Sequence, residues 1–131
     1  MSGYLIDTSI FVAAENRRAL GPAPAGKARI SVATLTELHV GVINANGKAL
    51  RRLREATLAE ARSFIPLAYD EAVAESLARL VSKLRAARLR ASAEDAIIAA
   101  TAITHGLTVW TQDSVFEAIA ELEPKLRVKP T

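Results

Sequence analysis

Two hydrophobic periods alternate along the chain. Short apolar runs are bounded by turn-forming residues, and between them lie longer stretches in which apolar residues return every three or four positions. The first run, Tyr4-Leu5-Ile6, predicts a buried strand ending at Asp7, after which Thr8-Ser9 is expected to cap a helix over 10–16. The segment Gly21-Pro22-Ala23-Pro24-Ala25-Gly26 breaks this pattern. A second strand is predicted over 28–33, with Thr34 as the expected cap of a helix that carries Leu35, Leu38, Val42 and Ile43 on its apolar side. Asn44-Ala45-Asn46-Gly47 ends it. Over 48–62, Leu50, Leu53, Leu58 and Ala61 recur at helical spacing with Arg51, Arg52 and Arg54 between them, which predicts a third helix.

Phe64-Ile65-Pro66-Leu67 reads as an edge strand, because proline removes a ladder donor. Asp70 then opens the longest helix, whose apolar set Val73, Leu77, Leu80, Val81 and Leu84 runs up to a basic stretch at 85–90. Ser92 begins another helix that Gly106 closes. Leu107-Thr108-Val109-Trp110 predicts a strand, 114–122 a helix, and Leu126-Arg127-Val128 a last short strand. Strands alternating with helices imply an α/β fold in which helices cover both faces of a parallel sheet.

Composition narrows the chemistry. The 131 residues fit one domain, 1–131, and the absence of cysteine excludes disulfides, thiolate metal sites and thiol nucleophiles, in keeping with a reducing, cytoplasmic setting. Twenty-six alanines and 5% aromatic residues favour closely packed helices. The apolar stretch 4–14 is broken by Asp7, has no basic leader and falls short of the roughly 18 uninterrupted apolar residues of a membrane span, so a protein that is neither exported nor embedded is expected. The formal charge is +3.

Four acids fall at informative places. Asp7 and Asp113 lie just beyond predicted strands, at the sheet edge where open α/β sheets bind ligands, while Glu37 and Asp95 lie in the first turns of helices that approach that edge. Each has an ordinary local role available. Thr34-Leu35-Thr36-Glu37 has the pattern of a capping box, Ser92-Ala93-Glu94-Asp95 nearly so, and Asp7 and Asp113 can each serve a turn or helix cap. Asp95 resists that account. Ile98, Ala99, Ala102 and Ile103 lie on its own helix face, so its carboxylate faces apolar surroundings and needs a cation or a proton, while neighbouring Glu94 is free for the exposed helix-end role. Two carboxylates about 4 Å apart repel by roughly 4 kcal/mol at an effective dielectric near 20, and no lysine or arginine stands in the short segments flanking these acids. A divalent cation answers the requirement, and an all-oxygen donor set suits Mg²⁺ or Mn²⁺. His39 points away from Glu37 on its helix and is read as a surface or partly buried residue. With the four acids neutralised, 17 basic groups face ten acids, a net +7 that favours a polyanion such as nucleic acid.

These motifs resemble the PIN-domain ribonucleases, and among them the VapC-like toxins of type II toxin–antitoxin modules, over essentially the whole chain. Leu5-Ile6-Asp7-Thr8-Ser9 is similar to the family's opening strand and first acid, and Thr36-Glu37-Leu38 followed by Gly41 to its second acidic motif. Glu94-Asp95-Ala96-Ile97-Ile98-Ala99-Ala100 with His105-Gly106 resembles the third, and Thr111-Gln112-Asp113 with Phe116 and Ile119 the fourth. Two departures stand out: Gln112 occupies a position where arginine is common, and Val115 one where a second acid is frequent.

The resemblance implies a single PIN-like domain, a three-layer αβα sandwich with a short, mostly parallel central sheet. It implies hydrolysis of RNA phosphodiester bonds by a metal-activated water, with Asp7, Glu37, Asp95 and Asp113 as catalytic metal ligands for Mg²⁺ or Mn²⁺. A cognate VapB-like antitoxin and a homodimer follow from the same resemblance. Thr8, Ser9, Thr111 and Ser114 stand beside the acids and are candidates to orient them, whereas Thr8 and Ser9 also have the capping role open to them. Arg51, Arg52 and Arg54 on one helix, and Arg85, Arg88 and Arg90 on another, are candidate phosphate contacts or simply solvated faces. Trp110 can stack a base or fill the core beside the sheet. A PIN-like RNA-binding module with weakened catalysis is one alternative, suggested by the thinner fourth motif. A phosphoacceptor receiver-like domain is another, suggested by Lys129-Pro130, but the adjacent acids after strand one that it requires are missing.

Overall fold

The structure is a computed structural model that describes residues 3–131. Its elements follow the order β1 (Gly3–Ile6), α1 (Thr8–Glu15), β2 (Lys27–Ser31), α2 (Val32–Ile43), α3 (Lys48–Ala61), β3 (Ile65–Leu67), α4 (Glu71–Ala87), α5 (Ala93–His105), β4 (Thr108–Thr111), α6 (Val115–Leu122) and β5 (Arg127–Pro130). The five strands form one sheet in the order β3-β2-β1-β4-β5, and every pairing is parallel. The chain winds outward from β1 through β2 to β3, then crosses back to lay β4 and β5 on the other side. Strand order therefore reverses between β1 and β4, the position at which open α/β sheets form ligand crevices.

Successive side chains on β1 point to opposite faces, and each face has its own core. Leu5 joins Leu80 and Leu84 of α4, Ile98, Ala99 and Ala102 of α5, Val109 of β4, and Phe116 and Ile119 of α6. Ile6 joins Ile10 and Phe11 of α1, Ile30 of β2, Leu38 of α2, and Leu58 and Ala61 of α3. Burial on both faces explains why β1 is continuously apolar rather than alternating. Alanine fills the interior of α5, where Ala99, Ala100 and Ala102 have no exposed surface, and the small side chains let this helix sit close to the sheet. Gly3 has a similar purpose at the start of β1, since a Cβ there would lie 2.5 Å from the Lys27 carbonyl oxygen. Trp110 belongs to the core reading: it packs against the α1–α3 side with its ring edge-on to Tyr4, centroids 6.0 Å apart.

Two helix starts differ from expectation. Asp7 itself, not Thr8-Ser9, caps α1, and Ser31 rather than Thr34 caps α2, accepting from Ala33 N–H at 3.0 Å. The capping box expected at Thr34–Glu37 therefore does not form. Thr34 is a fully buried residue inside the first turn of α2, and Glu37 lies one turn further along. Ser31 ends β2 and is equally good as a cap, so the helix starts as soon as the strand stops. Asp70 and Ser92 start their helices and Gly106 ends its own as the pattern predicts, with Gly106 in the left-handed conformation at φ 65°.

Candidate functional site

Asp7 is the innermost of the acids, only 2% exposed. It follows β1 directly, and its N–H continues the sheet by donating to the Trp110 carbonyl at 3.0 Å. Three donors meet at its Oδ2: Ser9 N–H at 3.3 Å, the Ser9 hydroxyl at 2.6 Å and the Thr111 hydroxyl at 2.8 Å. Both hydroxyls are themselves oriented from behind, Ser9 Oγ by the Gln112 N–H at 2.9 Å and Thr111 Oγ1 by the Asp113 N–H at 2.8 Å. Each hydroxyl proton is thus directed to the carboxylate. Oδ1 takes part in none of these bonds.

Glu37, half-buried on α2, accepts from the Thr8 hydroxyl at 2.6 Å, and Thr8 Oγ1 also lies 3.0 Å from Thr34 Oγ1. Asp95 sits at the first turn of α5, where Ser92 Oγ accepts from its N–H at 3.0 Å. Asp113 is exposed and lies one residue before the Ser114 cap of α6; its Oδ1 accepts from Val115 N–H at 3.0 Å at the start of that helix. Asp7, Glu37, Asp95 and Asp113 all line one cavity of about 290 Å³, together with Thr8, Ser9 and Ser92.

Electrostatics tie the four together. Burial raises the Asp7 carboxyl above its ordinary range, against the hydrogen bonds from Ser9 and Thr111 that favour the charged form. Glu37 is raised by burial and by the charges of Asp7, Glu94 and Asp113, with Thr8 opposing. Asp95 is pushed up to about 6 by burial first and then by Asp7, with Asp113 and Glu37 adding to the effect and Ser92 opposing it. The ion pairs among the described residues, Arg79–Glu75 and Lys83–Glu123, involve none of these acids.

Among the described residues no group of three or more acidic or histidine side chains is already closed into a ligand cluster. The fit to a cation rests on the donors themselves. Hard carboxylate oxygens share one cavity, those of Asp7, Glu37 and Asp95 on groups with raised pKa values, and hydroxyl partners fix the orientation of Asp7 and Glu37. That chemistry suits a divalent ion bound through oxygen.

Three of the expected orienting residues, Thr8, Ser9 and Thr111, contact the acids, whereas Ser114 makes no side-chain hydrogen bond to them or to the helix it caps. His39 stays outside, exposed, with Nε2 3.2 Å from Arg62 Nη2. Two residues escaped the sequence reading. Glu94, assigned there to an exposed helix end, is half-buried and close enough to Glu37 to raise it. Arg18 lines the acidic cavity although it lies eleven positions beyond Asp7. The turn that brings it back carries Arg17 at φ 55°, a conformation that gives no sequence signal in arginine. Of the arginines proposed as phosphate contacts, Arg54 lines a hollow next to the acids, Arg85 lines a separate hollow with Tyr69 and Leu77, and Arg51, Arg52, Arg88 and Arg90 are exposed.

A family model described as PIN domain matches residues 4–122. The chain is 45% identical over 120 residues to Ribonuclease VapC4 of Mycobacterium tuberculosis, an alignment covering 91% of this chain and 92% of that one. To Ribonuclease VapC5 of the same organism it is 37% identical over 116 residues, 88% of this chain and 86% of the other. The fold superimposes on the crystal structure of VapBC-5 from Mycobacterium tuberculosis, a member of the VapBC family of toxin–antitoxin systems, with a TM-score of 0.85 and 33% identity over 99% of this chain and 98% of that one.

Proposed function

The chain belongs to the PIN-domain family, and from that premise we propose that it is a ribonuclease of the VapC type, the toxin of a type II toxin–antitoxin module, cutting RNA with divalent metal at Asp7, Glu37, Asp95 and Asp113. The observation that carries the reading is the meeting of all four acids in one cavity at the reversal of strand order. Mg²⁺ or Mn²⁺ is the proposed ion. When bound, it supplies a water of lowered pKa and offsets charge on the scissile phosphate.

The chain's own residues prepare that chemistry. Ser9 and Thr111 hold Asp7 by one oxygen, Oδ2, which fixes the carboxylate at the wall of the cavity. Thr8 does the same for Glu37. Asp95, with its pKa near 6, keeps its proton only in mildly acidic solution, where a cation held there would have to displace it. Arg18, the basic residue among those lining the cavity, stands where a guanidinium can take a non-bridging phosphate oxygen of the substrate. Arg51, Arg52, Arg54, Arg85, Arg88 and Arg90 are proposed as further contacts to the RNA backbone.

No helix among the described residues is long and apolar enough to cross a membrane. We assign the protein to the cytoplasm, where RNA is at hand, with a VapB-like antitoxin as its partner and a homodimer as its working form. The decisive experiment is cleavage of a panel of structured RNAs by the purified protein with Mg²⁺, Mn²⁺ or chelator, beside Asp7→Asn and Asp95→Asn. Cleavage that needs metal and both carboxylates is expected. Undiminished cleavage in chelator, or by both variants, overturns the mechanism.

A further inference from the structure

A second hollow, of about 390 Å³, opens beside the acidic cavity and shares Thr8, Val12 and Glu37 with it. Its size is within the range of small-molecule pockets. Val12, Leu38 and Leu50 supply apolar surface. The polar groups are distinctive, because Glu15 is the last residue of α1, Asn16 is the cap at its carboxyl end, and Asn44 is the cap at the carboxyl end of α2. Two helices therefore direct the negative ends of their dipoles at one space, and the Glu15 carboxylate adds to that field. Away from Arg54, such a place disfavours phosphate and attracts hydrogen-bond donors.

The polar wall is held in position. Thr57 Oγ1 donates to Glu15 Oε1 at 2.8 Å, and Arg54 Nη1 donates to the Gly41 carbonyl oxygen at 2.7 Å. Glu15 enters no ion pair among the described residues. A ring with a donor-bearing edge satisfies this combination of apolar flanks, acceptor groups and a neighbouring guanidinium. An apolar protein segment would leave Glu15 and the helix ends facing carbon.

Building on the ribonuclease reading, we propose that this hollow binds a nucleobase next to the cleaved bond, and that Glu15, Asn44 and Arg54 select one with an amino-bearing edge, guanine foremost. Guanine presents two adjacent donors, N1–H and the N2 amino group, to a carboxylate, and its O6 can accept from an amide or from Arg54. A phosphate in the acidic cavity and a base unstacked over the shared wall is the way single-stranded RNA is commonly read. Uracil, which lacks an amino group, fits the site worst.

The test maps cleavage sites in a random RNA library for the wild type, Glu15→Gln and Asn44→Ala. In a separate arm it measures binding of short oligoribonucleotides, with G, A, C or U at one position, to the Asp95→Asn protein. The expected result is a preference for G over U beside the cut that falls about tenfold in the variants, and about tenfold tighter binding of the G oligonucleotide. Glu15→Gln keeps an acceptor for Thr57, and thermal melting separates a folding defect from a change in preference. An unchanged preference in both folded variants overturns the proposal, as does an absence of base discrimination in the binding arm. So does weakened capture of the antitoxin by the variants without any change in cleavage preference, which would give the hollow to a protein segment. Absence of cleavage by the wild type under every metal condition instead counts against the ribonuclease reading, and the binding arm then decides the hollow by itself.

Discussion

Thr111 Oγ1 donates a 2.8 Å hydrogen bond to Asp7 Oδ2 across 104 residues of sequence, at the junction where β4 pairs with β1. Thr111 is fully buried and Asp7 nearly so, which makes the bond one between groups that water cannot serve instead. Replacing Thr111 with valine keeps the shape and removes the donor. The expected cost is about 1–3 kcal/mol of stability, read by chemical denaturation, together with metal affinity weaker by roughly 10- to 100-fold in titration calorimetry. Wild-type metal affinity in Thr111→Val would show that the bond is only structural.

Asp95 makes the metal-free protein sensitive to pH. In the folded state its carboxyl holds a proton up to about pH 6, whereas its unperturbed value is 3.8, so folding takes up a proton between those values. The stability that Asp95 contributes is full below about pH 4 and is lost as pH rises through 6; the raised Asp7 and Glu37 act in the same direction. In chelator at pH 7, Asp95→Asn is therefore expected to melt above the wild type although it no longer cleaves. Addition of Mg²⁺ or Mn²⁺ at pH 7 raises the wild-type melting temperature, and at pH 5 it does so less, because protons compete for the ligands. A wild type more stable than Asp95→Asn in chelator at pH 7 would contradict this linkage.

Asp113 is expected to carry less of the site than Asp95. It is exposed, and its Oδ1 already accepts from the N-terminal turn of α6. Asp113→Asn, which retains a side-chain acceptor for Val115, is expected to lower cleavage by about ten- to a hundredfold, whereas Asp95→Asn falls to background. Equal losses, measured side by side at saturating metal, would place Asp113 on the same footing as the buried acids.

Arg18 offers a way to separate substrate grip from metal binding. Arg18 lines the acidic cavity, and among the described residues it forms no ion pair with the carboxylates. Arg18→Ala is expected to raise KM for RNA by about tenfold or more, the scale of a lost hydrogen bond to a charged group, and to leave metal affinity within about twofold of the wild type. A reduced metal affinity with unchanged KM would assign the arginine to the carboxylates instead.

Local periodicity was sufficient for the elements. The strands around Leu5 and Val109, helices carrying Val73, Leu80 and Leu84, and the caps Asp70, Ser92 and Gly106 all follow from spacing and turn chemistry. Small errors fell at strand–helix junctions. Thr34 had the pattern of a cap, but Ser31 three residues earlier was just as suitable, and the end of the β2 pairing at Ser31–Leu67 settled which was used. The inward face of α5 was legible because Asp95 interrupts an otherwise apolar stripe, whereas Glu94, one position away, looked like any exposed helix-end acid.

By itself the sequence determined the order of strands and helices, the need for a sheet covered on both faces, and the placing of acids at strand ends and helix starts, because each depends on neighbours within a turn or a strand. Tertiary structure alone decided that the sheet order reverses between β1 and β4, and hence that Thr111 and Ser9 meet at Asp7, that Thr8 reaches Glu37, and that Arg18 returns to the same cavity. The reason is physical: local spacing encodes which way a side chain points from its own element, but burial, mutual repulsion and a pKa near 6 arise only when groups far apart in the chain share one poorly hydrated space.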